Sequence, residues 1–202
     1  TCTPYDGPEQ DVLGRYATVA MAWGIDPIIR VTADCPLLDP EVVTALWEQW
    51  NTHPGLDHLG IEGTWADGQD CEIFSRAALL DAHHEATAAS DREHVTPFLW
   101  RQPHRFHCAT LPCERDCAWQ QYSVDTPEDL VLAEALVTAG FQRAGFYHGW
   151  RDIDDLLTGD AALRAMHDRR PPRNHRYVQQ VAQEHYRSEV LTWETLRYGG
   201  TR

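Results

Sequence analysis

The sequence contains no lysine, so all 17 of its basic residues are arginine. This absence excludes lysine Schiff-base chemistry and the phosphate-binding lysine of P-loop proteins. No run of apolar residues approaches the ~18 needed to cross a membrane. The first residues also lack the basic and apolar regions of a signal peptide. We therefore expect a cytoplasmic globular protein without a membrane partner.

Positive charge is scarce as well. With 31 acidic residues the formal net charge is -14 at pH 7, whereas nucleic-acid and anionic membrane surfaces need clustered positive potential. We expect no nucleic-acid partner. Any phosphate that the protein handles must be met locally, by a metal ion or by a few arginines.

Cysteine is too sparse for a disulfide scaffold, since six cysteines are spread over 202 residues. Cys108, Cys113 and Cys117 lie near His104 and His107, which raises the possibility of a zinc site. Their C-x4-C-x3-C spacing matches none of the usual zinc motifs. Reduced thiols are the favoured interpretation.

The order of the segments predicts an α/β domain over residues 1–148 and a helical C-terminal extension over residues 149–202. Helical spacing begins after Asp11 and ends at Gly24. "PIIRVT" is typical of a strand buried on both faces of a parallel sheet. Further strands are predicted at "CEIFS", "RFHCATL" and "WQQYSV", and helices at "PEVVTALWEQW", "RAALLDAHHEA", "SDREHVTPFLWRQ", "WRDIDDLLTG", "DAALRAMHD" and "RYVQQVAQEHYRS", with "NTHPGLDHLGIEGTWADGQD" as a long loop.

Two aspartates, Asp34 and Asp125, each follow a predicted strand and precede a helix that starts with proline. If the two strands are neighbours, both carboxylates lie at the same edge of the sheet, where they would suit Mg²⁺. The alternative is that each aspartate only caps the helix that follows it. Asp39 stands directly before Pro40 and is best explained as such a cap.

Five motifs carry a resemblance to a known family: "DVLGRY", "IIRVTADCPLLDP", "ADGQDCEIFS", "SDREHVTPF" and "YSVDTPEDL", in this order. Together they resemble the cytidylyltransferases of the spore coat polysaccharide biosynthesis F type, relatives of the enzymes that activate acidic sugars as CMP derivatives. "NHRYVQQVAQE" is similar to the family's tail, so the likeness runs from about Asp11 to Glu184. It implies a nucleotide-diphospho-sugar transferase fold of the glycosyltransferase-A kind, a three-layer α/β/α sandwich.

The resemblance also implies an activity, the transfer of CMP from CTP to a sugar-like acceptor with release of pyrophosphate. By motif position, Asp34 and Asp125 would hold Mg²⁺ and Arg15 would lie near the nucleotide. His94 or a nearby carboxylate would assist in deprotonating the acceptor, and for Arg92 and Glu93 a plain ion pair on a helix surface is an equal alternative. The acceptor side would be shaped by Asp67, Asp70, Glu72, Arg92, Glu93 and His94.

The family's first strand and its G-S-T-R-L-P-G-K loop, which holds the triphosphate, have no counterpart before "DVLGRY", and the closing "YGGTR" resembles that loop only by coincidence. We therefore expect a domain that is incomplete at its N-terminus: a fragment, a chain completed by a partner, or a member that has lost catalysis. An exposed sheet edge would then favour a homodimer. A glycosyltransferase of related fold and a non-catalytic nucleotide-binding or partner-binding domain stay open as alternatives.

Overall fold

The computed structural model describes residues 5, 7–61, 63–144 and 149–170. Within these ranges the chain forms four strands and eight helices. The strands are β1 (Ile28–Val31), β2 (His58–Gly60), β3 (Cys71–Phe74) and β4 (Cys108–Thr110). The helices are α1 (Val12–Trp23), α2 (Pro40–Thr52), α3 (Arg76–Glu85), α4 (Ala89–His94), α5 (Pro97–Trp100), α6 (Pro127–Ala144), α7 (Trp150–Gly159) and α8 (Ala161–Asp168).

The four strands form one mixed sheet in the order β1-β3-β2-β4. β3 is antiparallel to both β1 and β2, and β4 is parallel to β2. In register, Ile73 lies beside Leu59, which pairs with Ala109, while Phe74 lies beside His58, which pairs with Cys108. Because side chains alternate along a strand, these two rows point to opposite faces of the sheet.

Each face of the sheet is covered by helices. The row with Leu59 and Ile73 belongs to a hydrophobic cluster with residues of α2, α6, α7 and α8. The row with Phe74 and Cys108 belongs to a second cluster with residues of α1, α3 and α5. The predicted three-layer α/β/α sandwich is confirmed.

Most helix ends lie where their local signals predict them. Gly24 closes α1 in the left-handed conformation with φ 64°, which a glycine adopts without strain. The Asp39 side chain caps α2 and Ser75 caps α3. Strands β3 and β4 and helices α7 and α8 also lie within their predicted segments.

The prediction for "PIIRVT" as a strand buried in a parallel sheet was wrong. Among the described residues β1 is an edge strand that pairs with β3 alone, in antiparallel orientation. Its side chains Ile29 and Val31 are 40% and 49% exposed. A β-branched apolar run favours a strand, but the same residues suit an edge position and a central one, so the pattern did not specify the neighbours.

Three other segments also differ from their predictions. Strand β2 lies inside the predicted long loop, and the helix predicted at "SDREHVTPFLWRQ" is divided into α4 and α5 at Val95, whose φ is 76°. "WQQYSV" makes only a bridge between Gln121 and Asp67 rather than a strand. His58 in β2 is polar but buried, and it forms an ion pair with Glu72 of β3. No local sequence pattern indicates this contact.

The boundary after residue 148 stays a prediction. The described residues beyond it, 149–170, form α7 and α8, and their side chains Trp150, Ile153, Leu157 and Leu163 lie in the same hydrophobic cluster as Leu59 and Ile73. The predicted helix "RYVQQVAQEHYRS" and the closing "YGGTR" lie outside the described residues. In the part of the chain that is described, no helix has the length and apolar character to cross a membrane.

Candidate active site

A cleft of ≈ 380 Å³ lies where the loop after β1, the residues that lead into β3, the end of α4 and the loop before α6 meet. Six of the residues predicted from sequence line it: Asp34, Asp67, Asp70, Glu72, His94 and Asp125. These residues come from four separate parts of the chain. The fold therefore gathers most of the predicted site into one cleft.

Five carboxylates line this cleft, and four of them are aspartates. Burial raises the pKa of Asp67 to about 6; a hydrogen bond with Ser123 opposes this rise, while the charges of Asp70, Asp34 and Asp125 add to it. The pKa of Asp70 is also raised by burial, against hydrogen bonds from Cys35 and Gly68, and the charge of Asp34 raises it further. Burial and the neighbouring like charges both oppose ionisation here, so a cation placed among these carboxylates would relieve their repulsion.

Backbone hydrogen bonds, rather than neighbouring strands, hold these loops together. The N–H of Val124 donates to the carbonyl of Asp34 at 2.7 Å, and the N–H of Tyr122 donates to the carbonyl of Asp67 at 2.8 Å. The loop that carries Asp125 is thus hydrogen-bonded to the loops that carry Asp34 and Asp67. Asp39 caps α2, so Asp34 is not needed for that capping.

The donor set of this cleft fits a hard divalent cation. Asp34 and Asp125 are exposed and supply carboxylate oxygens, which Mg²⁺ prefers, and Mg²⁺ usually keeps several waters besides one or two carboxylates. Among the described residues no group of three or more His, Cys, Asp or Glu side chains is arranged to hold a metal by itself. Nothing in that part of the chain supports zinc, and the five described cysteines are free thiols.

Glu72 is bound by three side chains in the floor of the cleft. Its carboxylate accepts from Arg30 Nη1 at 2.7 Å, from Thr96 Oγ1 at 2.8 Å, and pairs with His58 Nε2 at 2.8 Å. Burial alone would raise the pKa of Glu72, but the His58 hydrogen bond and the Arg30 charge lower it to about 2. Glu72 therefore stays ionised, and its contacts fix the positions of Arg30 and Thr96 in the cleft wall.

The three residues predicted from "DREHVTPF" separate in space. His94, at the end of α4, lines the cleft, whereas Arg92 and Glu93 do not. Arg92 pairs with Asp11 at 2.6 Å and donates to the carbonyl of His83 at 2.9 Å, so it ties α4 to the start of α1 and to α3. Glu93 is exposed on the helix surface.

Arg15 lines a second cavity, of ≈ 470 Å³, which adjoins the first. Arg30 and Thr32 line both cavities, and Tyr16 contributes to the second. Arg15 Nη2 donates to the carbonyl of Glu9 at 3.1 Å. Its Nε is buried without a hydrogen-bond partner among the described residues. Two arginines on the wall of this cavity, Arg15 and Arg30, suit an anion.

Sequence reasoning missed five polar or aromatic residues of the cleft. Arg30 could have been found, because it is the charged residue in an otherwise apolar strand segment. Nothing in the local pattern distinguished the others. The missed residues are Arg30, Thr32, Thr96, Trp100 and Ser123.

The structure thus defines an α/β/α sandwich with an acidic cleft beside a cavity lined by Arg15 and Arg30. The cytidylyltransferase family model matches residues 1–153. The chain therefore belongs to the cytidylyltransferase family, as the motif resemblance predicted.

Two curated relatives and one solved structure are similar to this chain. An uncharacterised protein of Methanocaldococcus jannaschii is 30% identical over 102 residues, covering 50% of this chain and 41% of that protein. The spore coat polysaccharide biosynthesis protein SpsF of Bacillus subtilis is 29% identical over 151 residues, covering 70% of this chain and 58% of that protein. The chain spans about half the length of these curated relatives.

A cytidylyltransferase structure from Leptospira borgpetersenii matches with a TM-score of 0.73 and 23% identity, over 83% of this chain and 69% of that one. At this identity the likeness concerns the fold alone. It agrees with the mixed α/β architecture described above.

Proposed function

We propose that this chain transfers CMP from CTP to a sugar-like acceptor and releases pyrophosphate, in the biosynthesis of a polysaccharide or a secondary metabolite. The observation that carries the proposal is the cleft in which Asp34, Asp67, Asp70 and Asp125 meet, beside a cavity lined by Arg15 and Arg30. Catalysis of phosphoryl transfer is mostly positioning and charge neutralisation, and these residues supply both.

In this proposal Asp34 and Asp125 hold Mg²⁺. The ion, when bound, neutralises phosphate charge and polarises the bond to the leaving group. The carboxylates fix its place, because the loops that carry them are joined by the hydrogen bond from Val124 to Asp34. Burial is the main cause that raises the pKa of Asp67 to about 6, and the charges of Asp70, Asp34 and Asp125 add to it. A bound ion would offset this second contribution.

Arg15 and Arg30 form the nucleotide side of the site. In this proposal Arg15, which lines the cavity, binds a phosphate oxygen, and Arg30 is held in place by Glu72 at 2.7 Å. Tyr16 and Val12 give the same cavity an apolar wall, which suits a base or ribose.

The acceptor enters on the side of Asp67, Asp70 and His94. An acceptor oxygen attacks the α-phosphorus of CTP, the new oxygen–phosphorus bond forms, and the bond between the α-phosphorus and the bridging oxygen breaks. Pyrophosphate leaves with that electron pair. His94 or a cleft carboxylate takes the acceptor's proton, since both lie on the cleft wall.

Two observations support the substrate classes. Membership of the cytidylyltransferase family favours CTP over the ready-made nucleotide sugar that a glycosyltransferase would use. The printed name of the Bacillus subtilis relative refers to polysaccharide biosynthesis, which supports a sugar-like acceptor.

Calorimetric titration with CTP, with and without Mg²⁺, tests the proposal. We expect Mg²⁺-dependent binding in the wild-type chain and its loss in Asp34→Asn and Asp125→Asn, because each variant removes a charged oxygen ligand. Asp155→Asn is the matched control, since Asp155 is an exposed aspartate outside the cleft whose partner Arg115 also pairs with Asp154. Unchanged binding in both cleft variants would refute the metal assignment. Absent CTP binding by the wild type would favour the non-catalytic alternative.

A further inference from the structure

The segment before α6 places Asp125 but has little regular structure of its own. Asp129, whose side chain is fully buried, accepts through Oδ2 from the N–H groups of Asp125 and Thr126 at 3.0 and 2.8 Å. The same oxygen accepts from Thr126 Oγ1 at 3.0 Å. Asp129 thus holds the backbone of Asp125 from the first turn of α6.

Arg170, just beyond the end of α8, binds this segment at two points. Its Nη1 donates to Asp129 Oδ1 at 2.7 Å, and its Nη2 donates to the carbonyl of Gln121. Both ionic side chains are almost fully buried, Arg170 at 6% exposed and Asp129 at 0%. One guanidinium therefore spans the segment from Gln121 to Asp129, with Asp125 midway between them.

A second residue of α8 supports the same segment. His167 Nε2 accepts from the N–H of Gln121 at 3.0 Å, so both backbone groups of Gln121 are bound from the α8 side. The ring of Trp119 packs edge-on against His167 at 5.4 Å, and Arg164 lies over Trp119 at 4.0 Å. Because positions 164, 167 and 170 are three residues apart, they share one side of the helix and its continuation.

We propose that Arg170 is a positioning residue for the cation site: it holds Asp129 and Gln121 so that the carboxylate of Asp125 faces the cleft. This inference rests on the proposed function, because it takes Asp125 as a metal ligand. Residues that orient a ligand through a second layer of contacts typically change metal affinity 10- to 100-fold when they are replaced. The role of α8 then extends from the hydrophobic core to the site itself.

The test measures Mn²⁺ binding to the chain in the absence of nucleotide. The relaxation of water protons is the signal that reports this binding. We expect Arg170→Gln to weaken Mn²⁺ binding by about tenfold and Asp129→Asn to weaken it similarly. Because the two single variants share the loss of the Arg170–Asp129 contact, the loss of affinity in the double variant should be smaller than the product of the two single losses. Arg169→Gln is the control, because it removes the same charge at the neighbouring, exposed position.

A lysine variant keeps the test decisive if Arg170→Gln does not fold. Arg170→Lys retains the charge beside Asp129 but lacks the planar fork that reaches two acceptors, so we expect an intermediate loss of affinity. A purely structural role would lower the unfolding temperature and leave the affinity of the folded protein for Mn²⁺ unchanged, which would overturn the inference.

Asp125→Asn separates this inference from the proposed function. Loss of Mn²⁺ binding in Asp125→Asn with normal binding in every Arg170 and Asp129 variant would overturn the positioning role alone. Normal binding in Asp125→Asn, or no Mn²⁺ binding by the wild-type chain, would overturn Asp125 as a metal ligand and this inference with it, whereas the proposed function is tested separately by the titration with CTP.

Discussion

At the scale of single residues, the charge of Glu72 is the centre of a buried network. Arg30, His58 and Thr96 all bind its carboxylate within 2.8 Å. Burial alone would lower the pKa of His58, but its interactions with Cys108 and with the carboxylate of Glu72 raise it to about 10. The buried charges of His58 and Glu72 are each tolerated in the interior because the other is present.

Replacing Glu72 by Gln should destabilise the protein by about 3 kcal/mol, because it leaves Arg30 and His58 buried beside a neutral group. The free energy of unfolding in urea at neutral pH is the measurement. Glu93→Gln is the matched control on an exposed site and should change stability by less than about 0.5 kcal/mol. Equal effects of the two substitutions would contradict the network.

The ion pair of His58 with Glu72 predicts how the free energy of unfolding depends on pH. The pKa of His58 is raised from 6.5 to about 10, so its contribution is complete below pH 6.5 and is lost as the pH rises toward 10. The pKa of Glu72 is lowered from 4.5 to about 2, so its contribution is complete above pH 4.5 and is lost as the pH falls toward 2.

We therefore expect the stabilisation by this pair to be largest between about pH 4.5 and 6.5. Unfolding free energies measured from about pH 5 to 9.5 should fall more steeply in the wild type than in His58→Gln. Parallel curves for the two proteins would show that His58 is not protonated in the native state.

At the scale of secondary structure elements, one side chain caps two helices. Asp39 Oδ1 accepts from the N–H of Glu41 at 2.8 Å in α2, and Oδ2 accepts from the N–H of Trp150 at 3.0 Å in α7. Gly149 has φ 104°, and a Cβ there would collide with the carboxylate of Asp39. The glycine and the aspartate together join the start of α7 to the start of α2.

Replacing Asp39 by Ala should cost about 2 kcal/mol or more, because it removes two caps and leaves buried N–H groups without an acceptor. Ser75→Ala removes one cap of α3 and leaves the other, the carboxylate of Asp26 that accepts from the N–H of Arg76 at 2.9 Å, so it should cost about 1 kcal/mol. Thermal and urea unfolding of the two variants give the comparison. A smaller effect of Asp39→Ala than of Ser75→Ala would contradict the shared cap.

At the scale of the whole molecule, the β1 edge of the sheet carries exposed apolar side chains. Ile29 and Val31 of β1 are exposed, as are Trp23 and Ile25 just before the strand. An edge strand with exposed apolar side chains favours pairing with another chain. The homodimer stays a prediction that this surface supports.

Sedimentation equilibrium tests self-association through this edge. We expect the wild-type chain to self-associate and Ile29→Lys or Val31→Lys to weaken the association, because a lysine on an edge strand opposes strand pairing. Leu130→Lys, at a similarly exposed site on α6, should have little effect. A monomer at every concentration, or equal weakening by all three substitutions, would contradict the prediction.

Sequence signals within a few residues of each helix or strand were sufficient to predict most of these secondary structure elements. Asp39 before Pro40 predicted the start of α2, and Gly24 predicted the end of α1. Five motifs in register predicted the cytidylyltransferase family, and most of the residues they nominate line one cleft. The predictions of the elements and of the family succeeded because caps, glycines and motif residues act through local backbone geometry or through their identity in sequence.

Only the tertiary structure decided which strands and which side chains lie next to each other. It placed β1 at an edge, in antiparallel pairing, and buried His58 against Glu72. It also brought Arg170 to Asp129, a residue 41 positions away along the chain. Ion pairs and strand order depend on which distant surfaces pack together, and that packing is a property of the whole core rather than of any local pattern.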